Sequence, residues 1–316
     1  MAPKPIVAVI GSLNVDVVTY VTRVPQGGET IAANGFHIGL GGKGANQAVA
    51  CAKVSRSQDD IQNGTAIVKM IGAVGDDSYG PLVVDGLKGV GIDTSDIQTR
   101  TGHKTGVSTI IVEEATGENR ILFSAHANAT VRPDEYATDL PRPLPDLIIM
   151  QLEIPLETVT QILTTAQRVG VPVLFNPAPA QRIDTKYYPG ITHLVVNETE
   201  AAILSGREVK ELETEDGQAR IAEIFHGWGS KYVLITLGGN GVYYSVAGGA
   251  RGHVDAEKVK AVDTTAAGDT FVGVYALEVV KADFDVEKAV CRANLAASKT
   301  VTRKGAQESI PWLDEL

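Results

Sequence analysis

Residues 147–175 read LIIMQLEIPLETVTQILTTAQRVGVPVLF, and this stretch decides the fold. Leu147–Met150 and Val171–Phe175 are short apolar runs, the pattern of strands buried on both faces of a parallel sheet. Between them, Leu156–Val169 spaces its apolar residues as a helix does. The alternation continues in both directions. Further strands are predicted at Ile6–Ile10, Ala66–Ile71, Leu194–Val196 and Tyr232–Thr236, and further helices at Lys43–Val54, Asp77–Lys88 and Asp216–His226. Repetition of this kind predicts an α/β fold with helices on both sides of the sheet. No break interrupts it, so residues 1–316 are expected to form one domain. Ligands on such a sheet collect at the carboxyl ends of the strands.

Two regions depart from the alternation. Val17–Ile38 is strand-like but broken by Pro25, Gly27 and Gly28, and Gly106–Ser124 reads as a hairpin around the polar turn Glu113–Asn119. Together they are expected to form a small sheet that covers the site. Ser55–Thr65 is polar and turn-forming, the pattern of a surface loop.

Composition narrows the function classes. Hydrophobic residues make up 44% and charged residues 21%, which predicts a globular chain with a sizeable core. A formal net charge of −10 leaves no basic surplus for non-specific nucleic-acid binding. Cys51 and Cys291 are too few and too far apart for a disulfide framework or a zinc site, and both read as buried packing residues. No apolar stretch approaches the ~20 residues that span a bilayer. The first residues show no signal-peptide pattern, so the cytoplasm is the expected compartment, with the nucleus as an alternative.

The chemistry concentrates in six segments. Asp263-Thr264-Thr265-Ala266-Ala267-Gly268-Asp269 precedes an apolar helical run. Amides at a helix start have no intrahelical partner and form an anion site for a phosphate or a developing negative charge. Asp269 stands within reach of that site, where a carboxylate can take the proton of a hydroxyl attacking a phosphoryl group. In isolation the same string is a tight turn and a helix cap.

Gly39–Gln47 (GLGGKGANQ) opens the Lys43–Val54 helix; it lacks the Ser or Thr that a P-loop requires after its lysine. Gly11–Asp16 (GSLNVD) ends the first strand, with Asn14 and Asp16 on one side of the chain. Glu153, the string Asn197–Glu200 and the glycine-rich Thr236–Gly241 follow three other strands. Caps and turns explain each alone, but not their gathering where an α/β sheet binds ligands.

These segments, with VGDDSYG, NPAPA, DTTAAGDTF and VTRKGAQ, resemble in order the ribokinase family of carbohydrate kinases, from about Ile6 to Trp312. The resemblance implies a doubly wound, mostly parallel sheet with a small β-sheet lid from roughly 15–40 and 104–125, and a homodimer formed through that lid. It implies ATP-dependent phosphorylation of D-ribose at O5, with Mg²⁺ accompanying ATP and K⁺ as an activating ion.

Asn14, Asp16, Gly42, Lys43, Asn46 and Glu153 match positions that hold sugar hydroxyls. Asp269 matches the base, and Ala266, Ala267 and Gly268 match the anion hole. Asn197, Thr236, Gly238, Gly239, Asn240, Gly241, Gly268 and Asn294 match ATP-binding positions, and Glu200 one that organises magnesium through water. Asp263, Thr265, Thr300, Arg303, Gly305 and Ser309 match the potassium loops. The segment Phe123–Asn128 departs from the family's usual form, and Asn294 stands where some members have histidine. A kinase of fructose or adenosine, and a sugar-binding homologue without turnover, are the alternative readings.

Overall fold

The computed structural model describes residues 3–116 and 118–316. In chain order, β1 (Ile6–Ile10), β2 (Asn14–Val21) and β3 (Gly35–Gly41) lead into α1 (Lys43–Val54). Next come β4 (Ile67–Gly75), α2 (Tyr79–Gly89), β5 (Asp93–Arg100), β6 (Gly106–Glu113) and β7 (Asn119–Ser124). Then follow β8 (Leu147–Met150), α3 (Leu156–Val169), β9 (Val173–Phe175), β10 (His193–Asn197), α4 (Glu198–Ser205) and α5 (Glu215–Trp228). The chain continues through β11 (Tyr232–Thr236), β12 (Val242–Val246), β13 (Arg251–Val254), α6 (Ala267–Val279) and α7 (Val286–Thr300).

The main sheet has the order β13-β12-β11-β10-β9-β8-β1-β4-β5. Strands from β5 to β11 run parallel, and β12 and β13 close the far edge antiparallel. The period-two rule sorts the core into two layers. Val7 and Val9 of β1 pack with α1, α2, α6 and α7, whereas Ala8 and Ile10 face α3, α4 and α5. Leu147, Ile148, Ile149 and Met150 of β8 are all fully buried, at roughly 1.5–3 kcal/mol of hydrophobic stabilisation for each side chain. Strand order reverses between β1 and β8, so their carboxyl ends open a crevice.

A second sheet, β3-β2-β6-β7, comes from the two departures found in the sequence. Its central pair β2–β6 is parallel and its outer pairs antiparallel. Of the predicted turn Glu113–Asn119, Gly117 lies outside the described residues. The buried Asn128 anchors this sheet. Its Oδ1 accepts the Leu13 N–H at 2.9 Å, and its Nδ2 donates to the Leu13 carbonyl and to Asn14 Oδ1 at 3.2 and 2.8 Å. The chain's entry into β2 is thereby tied to its exit from β7.

Three expectations change. Cys51 is buried as predicted, but Cys291 lies on the exposed side of α7. The Ser55–Thr65 loop is not merely a surface turn: it wraps the buried Arg56, whose guanidinium donates to the carbonyls of Ile61, Ala66 and Gly91. The edge strand β5 reads DTSDIQTR and has no apolar run by which to recognise it.

Candidate active site

The start of α6 has the form an anion site requires. Ala266, its N-cap, adopts φ 59°, and Thr270 N–H returns to the Ala266 carbonyl at 2.8 Å. Ala267 N–H reaches the Thr264 carbonyl at 3.3 Å, so within the predicted anion hole Ala266–Gly268 this amide is already engaged. The next two amides, of Gly268 and Asp269, have no hydrogen-bond acceptor among the described residues. A left-handed alanine costs roughly 1–2 kcal/mol, strain of the kind that collects at functional sites.

Asp269 is only 7% exposed. Its Oδ1 accepts from Gln47 Nε2 at 2.9 Å and its Oδ2 from Asn46 Nδ2 at 3.1 Å. Both donors lie on α1. The start of α1 resembles that of α6, with Gly42 at φ 89°, yet its amides are filled. Glu153 Oε2 accepts Lys43 N–H at 3.0 Å, and Ser12 Oγ accepts Gly44 N–H at 3.2 Å. Ser12 in turn donates its hydroxyl to Glu153 at 2.5 Å.

Three carboxylates act on one ammonium. Asp269, and then Glu153 and Glu200, hold Lys43 above its ordinary range against the opposing effect of burial. Burial pushes Glu153 and Glu200 up. Asp16 is pushed up to about 6 by burial, opposed by its Ser108 hydrogen bond and reinforced by Glu153, Asp269 and Glu308. Asn14 is oriented by Asn128, which occupies its Oδ1 and turns the Nδ2 donor elsewhere.

Two cavities meet at Gly268. One, of about 220 Å³, is lined by Lys43, Asn197, Glu200, Ala266 and Asp269 among others. The other, of about 310 Å³, is lined by Thr236, Gly238, Gly239, Gly241 and Asn294, with apolar walls from Val242, Val259 and Phe271. Thr236, Thr264, Ala267 and Gly268 line both. An elongated ligand with an apolar ring at one end and phosphates at the other fits this path. Asn240 does not line the second cavity; its carbonyl accepts from His253 Nε2 at 2.8 Å. Asn294 holds the wall, donating to the Asp255 carbonyl at 2.7 Å.

Asn197 and Glu200 carry a second task. The Asn197 side chain accepts Glu200 N–H at 2.8 Å, and Glu200 accepts Asn197 N–H at 2.9 Å, a capping box on α4. One Glu200 oxygen therefore remains for the cavity. A lone carboxylate on a cavity suits Mg²⁺, which keeps several waters and binds few protein groups.

Of the predicted potassium residues, hydrogen bonds bring together Asp263, Thr265 and Gly305. Asp263 Oδ1 accepts from Thr265 N–H and Oγ1 at 2.9 and 2.7 Å, and its Oδ2 accepts Gly305 N–H at 3.0 Å. Burial would raise Asp263, but these hydrogen bonds prevail and hold it below the usual carboxylate range. The side chains of Thr300, Arg303 and Ser309 are committed elsewhere, as donors to Ala296, Glu315 and Ala306 respectively. With these side chains engaged, backbone carbonyls are the oxygens that Thr300, Arg303 and Ser309 have left for a cation.

Sequence reading missed the amides behind the site. Gln47 and Asn176 stand in strings already singled out, as does Gln151, but nothing local marks them as partners. Gln307 donates to Asn46 Oδ1 at 3.2 Å from 261 positions away. Ser12 was read as part of a turn.

Comparison with known proteins agrees with this geometry. The description "pfkB family carbohydrate kinase" matches residues 4–313. A ribokinase of Schizosaccharomyces pombe is 42% identical over 314 residues, covering 98% of this chain and 96% of the relative. A deoxyribokinase of Salmonella typhi is 38% identical over 313 residues, again covering 98% and 96%. The solved structure of Arabidopsis thaliana ribokinase complexed with ribose and ATP superposes with a TM-score of 0.86 at 28% identity, covering 99% of this chain and 97% of that one.

Proposed function

The chain belongs to the pfkB family of carbohydrate kinases, and on that premise we propose that it transfers the γ-phosphoryl group of ATP to O5 of D-ribose. The observation that carries this reading is the position of Asp269, a buried carboxylate beside two free helix amides where the two cavities join.

The roles follow from the contacts. Adenine occupies the apolar 310 Å³ cavity, and the phosphates extend past Gly268 towards Lys43. Asn14, Asp16, Lys43, Asn46 and Glu153, with the backbone at Gly42, hold the sugar hydroxyls. Asp269 takes the O5 proton as O5 bonds to the γ-phosphorus. The bond from that phosphorus to the bridging oxygen breaks, and ADP leaves with the electron pair. The amides of Gly268 and Asp269 take up the charge that develops on the transferring group.

Glu200, through water, is the residue that would hold Mg²⁺, which neutralises phosphate charge. Asp263, Thr265, Thr300, Arg303, Gly305 and Ser309 would hold K⁺, which adds rigidity to the loop behind Ala266. The second sheet acts as the lid of a single domain. Val18, Ile110, Ile121 and Phe123 share the lid face that carries Asp16, and Ile121 and Phe123 are exposed. A second copy of the chain is the proposed cover for that face.

The 38% identical deoxyribokinase makes 2-deoxyribose the main rival substrate. An ADP-release assay over ribose, 2-deoxyribose, fructose and adenosine, with and without K⁺, decides between them. Ribose is expected to give the highest kcat/KM, and failure to turn over ribose at millimolar concentration overturns the reading. Asp269→Asn is expected to keep its Tm and lose about 10²–10⁴-fold in turnover; near-native activity removes Asp269 from the role of base.

A further inference from the structure

Asp269 is held from another helix. Gln47 is wholly buried, and its Nε2 donates to Asp269 Oδ1 at 2.9 Å and to Asn176 Oδ1 at 3.1 Å. Its Oε1 accepts from Gln151 Nε2 at 2.6 Å. A carboxamide can rotate by half a turn and exchange donor for acceptor. Asn176 donates its Nδ2 to the Val195 carbonyl, so its Oδ1 and Asp269 Oδ1 both call for a donor from Gln47, and Gln151 Nε2 meets the Gln47 oxygen on the other side.

Gln151 itself gains little from its place. It is 1% exposed, and its Oε1 has no hydrogen-bond partner among the described residues. A buried unpaired oxygen costs about 1–3 kcal/mol. Room for it exists because residue 11 is glycine: a Cβ there would lie 2.0 Å from that oxygen.

The two donors to Asp269 also differ in what they do when sugar binds. Asn46 is a proposed sugar ligand, so its Nδ2 is shared with the substrate. Gln47 has no proposed contact with the sugar, so the substrate does not compete for its hydrogen bond to Asp269.

We propose that Gln47, oriented by Gln151, is a positioning residue that fixes the Asp269 carboxylate in the orientation that receives the sugar's hydroxyl proton. The proposal rests on the reading of Asp269 as the base. The other charged groups that face Asp269 are Lys43 on α1, Glu153 after β8, Glu200 on α4 and Asp16 on β2. Among these only Lys43 is cationic, so a further carboxylate at position 47 has a single ammonium to offset it.

The test compares kcat, ribose KM, pH–rate profile and Tm for Gln47→Met, Gln47→Glu, Gln151→Met and Asp269→Asn in the full chain. Gln47→Met is expected to lower kcat about tenfold with ribose KM within about twofold, as imprecise placement of a general base does. Gln47→Glu is expected to lower kcat further and to move the acid limb of the profile up by about one pH unit or more. Gln151→Met is expected to lower kcat by about threefold without loss of Tm, since it removes the unpaired oxygen together with the orienting donor.

A purely structural Gln47 would lower Tm and leave kcat per folded molecule unchanged. That result, or a change confined to KM, overturns the proposal. If Gln47→Met does not fold, Gln151→Met decides: native kcat there overturns it equally. An active Asp269→Asn removes the base and the proposal with it. An inactive Asp269→Asn beside native Gln47 variants removes the positioning role alone.

Discussion

The starts of α1 and α6 look alike and do opposite things. Each follows a small-residue turn, each has an N-cap at positive φ, and neither is capped by its own N-cap side chain. At α1 the protein fills the amides, with Glu153 on Lys43 and Ser12 on Gly44. At α6 the amides of Gly268 and Asp269 are left open to the cavities. A helix start therefore binds an anion only where the fold withholds a partner. The filled start has no amide to spare at Lys43 or Gly44, whereas the open one keeps those of Gly268 and Asp269 for a ligand.

One substitution made at both starts breaks the comparison most directly. Gly268→Ala places a methyl where no protein atom lies within 4 Å. Its Tm should hold, while kcat falls by about 10²-fold through misplacement of the phosphoryl group. Gly44→Ala places a Cβ 2.6 Å from the Ser12 backbone nitrogen. That variant should lose about 1–3 kcal/mol of stability, measured by denaturant unfolding. A stable Gly44→Ala, or an unaffected Gly268→Ala, would erase the distinction.

A smaller effect separates sugar holding from phosphoryl transfer. Asp16 is pushed up to about 6, so it is mainly ionised at neutral pH and an acceptor for hydroxyls. As pH falls through that value the carboxylate gains a proton and loses acceptor capacity. Ribose KM should then rise, approaching tenfold per pH unit at the acid end, and Asp16→Asn should abolish the dependence. A KM that stays flat in the native chain down to about pH 5 would remove Asp16 from the sugar site.

The smallest effect concerns strain. Ala266→Gly relieves a left-handed alanine at φ 59° but adds freedom to the unfolded chain. Opposing contributions of about 1 kcal/mol each should leave Tm within a few degrees of native. A large loss of Tm would mean that the Ala266 methyl packs as well as bends the chain.

Much of this was legible before the structure. The apolar runs of β1, β8 and β9 and the periodic helices α1 and α3 carry their own signals, because burial on a sheet or helix face imposes a local spacing. The edge strand β5 carries none, since its DTSDIQTR sequence is only partly buried. Cys291 was misread because an Ala/Val-rich helix does not state which of its faces meets solvent. Asn197 and Glu200 could be recognised as a cap or as site residues, and the capping box shows that the cap is real while one Glu200 oxygen is still free.

The sequence by itself determined the α/β alternation, the two β departures and the carboxylate at the start of α6. These depend on neighbours a few residues apart, where backbone geometry dictates which side chains share a face. Only the tertiary structure decided which helix start is open and which is filled. It also decided that Gln47 reaches Asp269 across 222 positions and that Gln151 donates to the Gln47 oxygen. Such contacts form when sheet order brings distant strand ends together, and no local spacing records them.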